Sequence, residues 1–109
     1  MTLITYIQGE ERRLVGIATA KSGTVTIQPT PTITIRPTAG GADIVTNAPC
    51  TGYDPGAALE VEAWYLLDTS GMDPGWYWVA IKINVIDQDG KHSIIFAKGR
   101  ISIQALFCD

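Results

Sequence analysis

The chain has 109 residues and a formal charge of −3, with eight Lys or Arg against eleven Asp or Glu. That length suits one domain over residues 1–109 and leaves no room for a second sizeable core. Hydrophobic residues reach 46% and charged residues only 17%, which argues against disorder and for a surface partly covered by a partner.

The N-terminus, Met1-Thr2-Leu3-Ile4-Thr5-Tyr6-Ile7, lacks the basic start of a secretion signal, and its apolar run is short and broken by Thr. No stretch approaches the roughly 20 apolar residues of a membrane span. The expectation is a protein made and kept in the cytosol, or one that leaves by assembly, with no membrane contact. Fourteen Ile, twelve Thr and six Val fall in short runs separated by Gly, Pro, Asn and Asp. This is the composition and punctuation of an all-β domain. No window keeps the 3.6-residue period over three turns, so no significant helix is expected.

The first strand is read as Leu3 to Ile7, broken by Gly9, so that residues 1–8 form an N-terminal strand or arm. The second runs from Arg12 to Ala20 and ends at Lys21-Ser22-Gly23. Its register is open: either Leu14, Gly16 and Ala18 face inward, or Val15 and Ile17 do. Thr24 to Gln28 alternates cleanly, after which Pro29 and Pro31 interrupt the ladder because neither donates a backbone hydrogen bond. Thr32 to Arg36 alternates again and stops at Pro37. A short strand from Asp43 to Thr46 precedes a loop from Asn47 to Gly56. In Leu59 to Leu67 the odd positions are apolar and Glu60 and Glu62 alternate with them, so the odd residues face inward. Asp68 to Pro74 is a turn region, and Gly75 to Ile86 is the longest strand, with Tyr77, Val79, Ile81, Ile83 and Val85 inward.

Asp87-Gln88-Asp89-Gly90 suits a type I turn closed by Gly90 in a left-handed bulge. That turn places Asp87 opposite Lys91 and so fixes the hairpin register. The inward pairs become Ile83 with Ile95, Ile81 with Ala97, Val79 with Gly99 and Tyr77 with Ile101. The outward pairs become Asn84 with Ile94, Lys82 with Phe96, Trp78 with Arg100 and Trp76 with Ser102. The outer face therefore carries Trp76, Trp78, Ile94 and Phe96 beside Arg100, and Trp64 points outward on its own strand. Contiguous large apolar residues on a sheet face call for a cover, either the N-terminal segment or a loop of the chain itself or a protein or carbohydrate partner, and Trp and Arg are enriched at interface hot spots.

Ingredients for chemistry are few. With one histidine, a Ser-His-Asp device could only be built on His92, and two cysteines put a four-ligand structural zinc site out of reach. Asp87 to Gly90 looks like the opening of a calcium loop, but Ser93, Ile95 and Lys98 fill the later ligand slots. Glu60 and Glu62 share one strand face without an opposed element, so they read as a solvated face. There is no Gly-rich phosphate loop before a helix, and a pI near 4.9 without a basic cluster argues against nucleic acid. No catalytic, metal or cofactor residue is expected. Cys50 and Cys108 read as free thiols in a reducing compartment, with a bridge between them or between subunits as the alternative.

Asp73-Pro74-Gly75-Trp76-Tyr77-Trp78-Val79 reads D-x-G-x-Y-x-V. This resembles the signature D-x-G/A-x-Y-x-C of the immunoglobulin fold, with Val79 where the second cysteine would stand. Gly9-Glu10 followed by Leu14 is similar to the G-E-x-x-x-L that opens the second strand of many such domains. The resemblance covers most of the chain as a pattern of strands. It implies a sandwich of seven to eight antiparallel strands, with Tyr77 as a tyrosine corner whose hydroxyl meets backbone before Asp73. Both core cysteines and the third-strand Trp of antibody domains are missing, so antibody-like recognition is not implied. The pattern is closer to immunoglobulin-like modules of bacteriophage virions and of bacterial surface proteins. The expected function is thus a non-catalytic virion component (capsid decoration, neck or tail) that contacts other subunits or copies of itself. The alternative is a bacterial cell-surface adhesion or carbohydrate-binding module.

Overall fold

Short β-branched runs cut by Gly and Pro cannot propagate a helix, and the computed structural model accordingly contains none among the residues it describes. Those residues are 6–7, 11–20, 23–69 and 72–104. They form nine strands: β1 (Tyr6–Ile7), β2 (Glu11–Thr19), β3 (Val25–Ile27), β4 (Thr32–Pro37), β5 (Val45–Pro49), β6 (Gly52–Tyr53), β7 (Glu60–Asp68), β8 (Gly75–Asp87) and β9 (His92–Gln104). The larger sheet has the order β1-β9-β8-β4-β5, with β3 also paired to β8, and the smaller has the order β2-β7-β6. All pairs are antiparallel except β1 with β9. The two sheets enclose one hydrophobic cluster, which makes the fold a β-sandwich.

The β8–β9 hairpin has the register that its turn demands. Gly90 adopts φ +82°, its N–H donates to the Asp87 carbonyl at 3.0 Å, and the Asp87 N–H donates to the Lys91 carbonyl at 2.9 Å. The Asp87 carboxylate accepts the N–H groups of Asp89 and Lys91, each at 2.9 Å. Every pair from Gly75–Ile103 to Ile86–His92 then follows in step. Ile81 and Ile83 on β8 and Ile101 on β9 are fully buried between the sheets, as are Ile33 and Ile35 on β4.

β3 and β4 are two halves of one strand running along β8. Thr26 lies opposite Ile86 and Thr32 opposite Lys82, so two extra residues bulge out at Pro29 to Pro31. The Gln28–Pro29 peptide is cis. At the far end of the sandwich a bridge from Val25 to Ala58, with hydrogen bonds in both directions, ties the two sheets together.

The open register of β2 resolves with Leu14, Gly16 and Ala18 buried. The reason lies at Gly16, where a Cβ would stand 3.0 Å from the Ala97 Cβ and 3.2 Å from the Ile81 Cδ1. Only a residue without a side chain lets the two sheets approach this closely. The opposite register would put Val15 and Ile17 there.

Several boundaries differ from the sequence reading. The short strand expected at Asp43 to Thr46 is Val45–Pro49, and the expected loop from Asn47 to Gly56 contains the end of β5 and all of β6. Asn47 takes a positive φ of 45°, a conformation Asn tolerates, and this lets the strand continue through a residue that reads as a breaker. Leu59, expected inward, is exposed; it stands one residue before β7, where Val61, Ala63 and Leu67 are buried. The N-terminal arm is described only at Tyr6 and Ile7. Cys108 lies outside the described residues.

Tyr77 is 4% exposed, and its hydroxyl donates a 2.6 Å hydrogen bond to the Asp73 carbonyl. The acceptor is thus Asp73 itself rather than backbone upstream of it. Burial, and next the charge of Asp73, raise the phenol's pKa and keep it a donor. Asp73 and Gly75 shape this corner, with Gly75 at φ +143°. Replacing Tyr77 by Phe should lower stability by about 1 kcal/mol, the net value of one buried hydrogen bond. A urea titration with unchanged slope checks this.

Cys50 is buried and unbridged, and burial pushes its thiol up to about 11 from an ordinary value of 9.0. The thiolate therefore forms more easily in the unfolded chain. Stability attributable to this group should fall as pH rises through that interval, and Cys50→Ala should flatten the profile there. Thermal melts of both proteins across that range provide the measurement.

Candidate functional site

Strand parity sends the even-numbered residues of β8 and β9 to the outside of the larger sheet. There Trp76, Trp78, Ile94 and Phe96 are each at least 50% exposed. They share this face with Lys82, Lys98 and Arg100, and the neighbouring β4 adds Thr34 and Arg36. The Arg100 guanidinium sits 5.1 Å from the Trp76 ring centre and 5.4 Å from that of Trp78. The Lys98 ammonium lies 5.6 Å from the Phe96 ring. Such contacts contribute on the order of 0.5–1 kcal/mol each at exposed sites. They hold the cations against the aromatic surface.

Beside Trp78, a shallow groove of about 260 Å³ is lined by Thr34, Arg36, Trp78, Val79, Ala80 and Lys98. Arg36 is neutralised in place by Asp43, at 2.7 Å. The hydrogen bond and charge of each partner raise the pKa of Arg36 and lower that of Asp43, which also accepts from the Thr46 hydroxyl. Lys82, Lys98 and Arg100 have no carboxylate within 4 Å among the described residues. Their charge is left to face outward.

Trp64 does not belong to this group. It lies on β7 in the smaller sheet, opposite Val15, and therefore on the other outer face of the sandwich. It is only half-buried because its ring lies across Gly52, where a Cβ would stand 2.5 Å from the indole. The Arg13 guanidinium covers the ring at 4.7 Å. Trp64 is thus partly clad by its own chain. Parity alone gives a face, but not the sheet to which that face belongs.

Of the remaining candidates, His92 is exposed at the hairpin end opposite Ile86. Among the described residues no three His, Cys, Asp or Glu side chains gather in a way that could hold a metal ion. Glu60 and Glu62 stand on the outer face of the smaller sheet. The contribution of Lys98 to the aromatic face went unremarked in the sequence, although its even number on β9 places it there beside Lys82. What the described residues of this face offer chemically is apolar area with a cationic rim.

No protein-family model matches the chain, and neither a curated protein nor a solved structure matches it.

The cationic rim has an optical consequence. In a Trp64→Phe background the emission comes from Trp76 and Trp78, and iodide should quench it more than neutral acrylamide does, because the face attracts anions. Substituting Gln for both Lys98 and Arg100 should abolish that excess. Stern–Volmer titrations with the two quenchers measure it.

Proposed function

We propose that this protein is a non-catalytic structural and assembly subunit, a bacteriophage virion component of the capsid-decoration, neck or tail kind, whose aromatic sheet face is covered by another protein chain. The observation that carries the reading is the contiguous exposure of Trp76, Trp78, Ile94 and Phe96 around Arg100. Two tryptophans with an Ile and a Phe present several hundred Å² of apolar surface. At roughly 25 cal/mol per Å², leaving that area wet costs several kcal/mol, a large fraction of a small domain's stability. Covering it drives association.

The immunoglobulin-like resemblance, from which the virion reading comes, draws support from two features. One is the strand order β1-β9-β8-β4-β5 facing β2-β7-β6. The other is the buried Tyr77 bonded to Asp73. The adhesion or sugar-binding alternative is less favoured. A sugar platform needs open ring faces, whereas Arg100 lies against both indoles. A guanidinium between two tryptophans is instead the composition of a protein–protein hot spot.

Trp78→Ala should weaken assembly by about 2 kcal/mol or more, in the manner of hot-spot tryptophans, while leaving the melting temperature of the free chain nearly unchanged. The measurement is mass in solution, alone and with the products of neighbouring genes, paired with a thermal melt. Intact assembly with an unfolded free chain would assign Trp78 to the fold and overturn the reading.

A further inference from the structure

The two outer faces of the sandwich differ in charge. The face of the larger sheet presents Lys82, Lys98 and Arg100 among its aromatics. The face of the smaller sheet presents Glu60 and Glu62 next to the exposed Ile17, and further along it the exposed Leu66 pairs with Arg13, whose guanidinium is held over Trp64. Both faces are therefore apolar surfaces with a charged component, and the Glu60–Glu62 pair of one is complementary to the cations of the other. The strands match in length as well: nine-residue β2 and β7, at about 3.3 Å per residue, run roughly 30 Å along their face, comparable to the exposed run of the hairpin.

We infer that the occupant of the aromatic face is a second copy of this chain, which docks through its smaller-sheet face at Glu60 and Glu62 so that copies stack head to tail. This rests on the reading above that the aromatic face is covered by protein, and it names the partner. Three arguments favour it over other arrangements. A two-fold pairing of aromatic face with aromatic face would set Lys82, Lys98 and Arg100 against the same cations, and like charges so placed disfavour association. That pairing would also leave Ile17 and Leu66 exposed on each copy. A head-to-tail contact buries both outer faces with one type of interface and brings Lys98 and Arg100 to the carboxylates of Glu60 and Glu62.

Because the two faces lie on opposite sides of one domain, the contact is heterologous and repeats, giving a ring where the rotation closes and a filament where it does not. Each copy adds two sheets at about 10 Å spacing, so the repeat along the stack is roughly 20 Å.

The test is sedimentation of the full chain over a concentration series at low and high salt, with two variants. One carries Lys98→Glu and Arg100→Glu, the other Glu60→Lys and Glu62→Lys. The wild type should self-associate, and less so at high salt, where exposed charge pairs are screened. Each variant alone should associate at least about tenfold more weakly, and an equimolar mixture of the two should recover complexes containing both, since the lysines and arginine of one meet the glutamates of the other. A wild type that stays monomeric up to about 1 mM, the weak limit of specific binding, would overturn the inference. So would loss of association in the first variant but not the second, which would indicate pairing through the aromatic face alone. Neither result touches the reading that protein covers this face, which stands or falls with Trp78→Ala. Should either variant fail to fold, the wild-type salt series decides: association that is unchanged or strengthened by salt overturns the stacking.

Discussion

The pairing of β8 with β9 is the constraint on which the rest of the molecule depends, and it is set by five residues. Gly90 in the left-handed region and the Asp87 carboxylate bridging two backbone N–H groups leave one way to close the turn. Since side chains alternate along a strand, that single choice sorts more than twenty residues into core and surface. A slip of one position would bring Trp76, Trp78 and Lys82 inward and turn Ile81 and Ile83 out to water. The turn thus determines both the interior that stabilises the domain and the exterior available for contact.

Parity also separates the core from the exposed aromatic face. Tyr77, Val79, Ile81 and Ile83 are buried, while the residues interleaved with them carry the indoles and one of the cations. Each set can change with little effect on the other because they project from opposite sides of one backbone ribbon. The cation–aromatic contacts of Arg100 and Lys98 add to this economy. They keep large apolar side chains partly shielded in the free chain, yet a partner carrying carboxylates could draw the cations away.

Much of this organisation was legible in the sequence. The hairpin register followed from Asp87 to Gly90, and the inward setting of Tyr77 followed from that register. The β2 register was not legible, because Gly16 contributes nothing to a hydrophobic pattern. Its meaning lies in a 3.0 Å approach between sheets that only three dimensions define. Trp64 shows a related limit: alternation shows that a residue points outward, but the partition of strands between sheets decides whose neighbour it becomes. The β5 boundary was hidden by Asn47, whose positive φ continues a strand where such a residue commonly ends one. Leu59 shows the limit of alternation itself, since the residue at a strand's start can break the inward pattern even where its backbone is bonded.

The parallel pairing of β1 with β9 has a mechanical meaning. Tyr6 lies beside Ile103 and Ile7 beside Gln104, so the chain runs into β1 and out of β9 along the same axis. A load carried through the segments flanking these strands pulls them in opposite directions past one another. Their hydrogen bonds then bear tension together as a sheared patch, where an antiparallel pair pulled from its open end would release them one by one. A domain joined to its neighbours through these segments would transmit force along its 56 Å length before its sheets part.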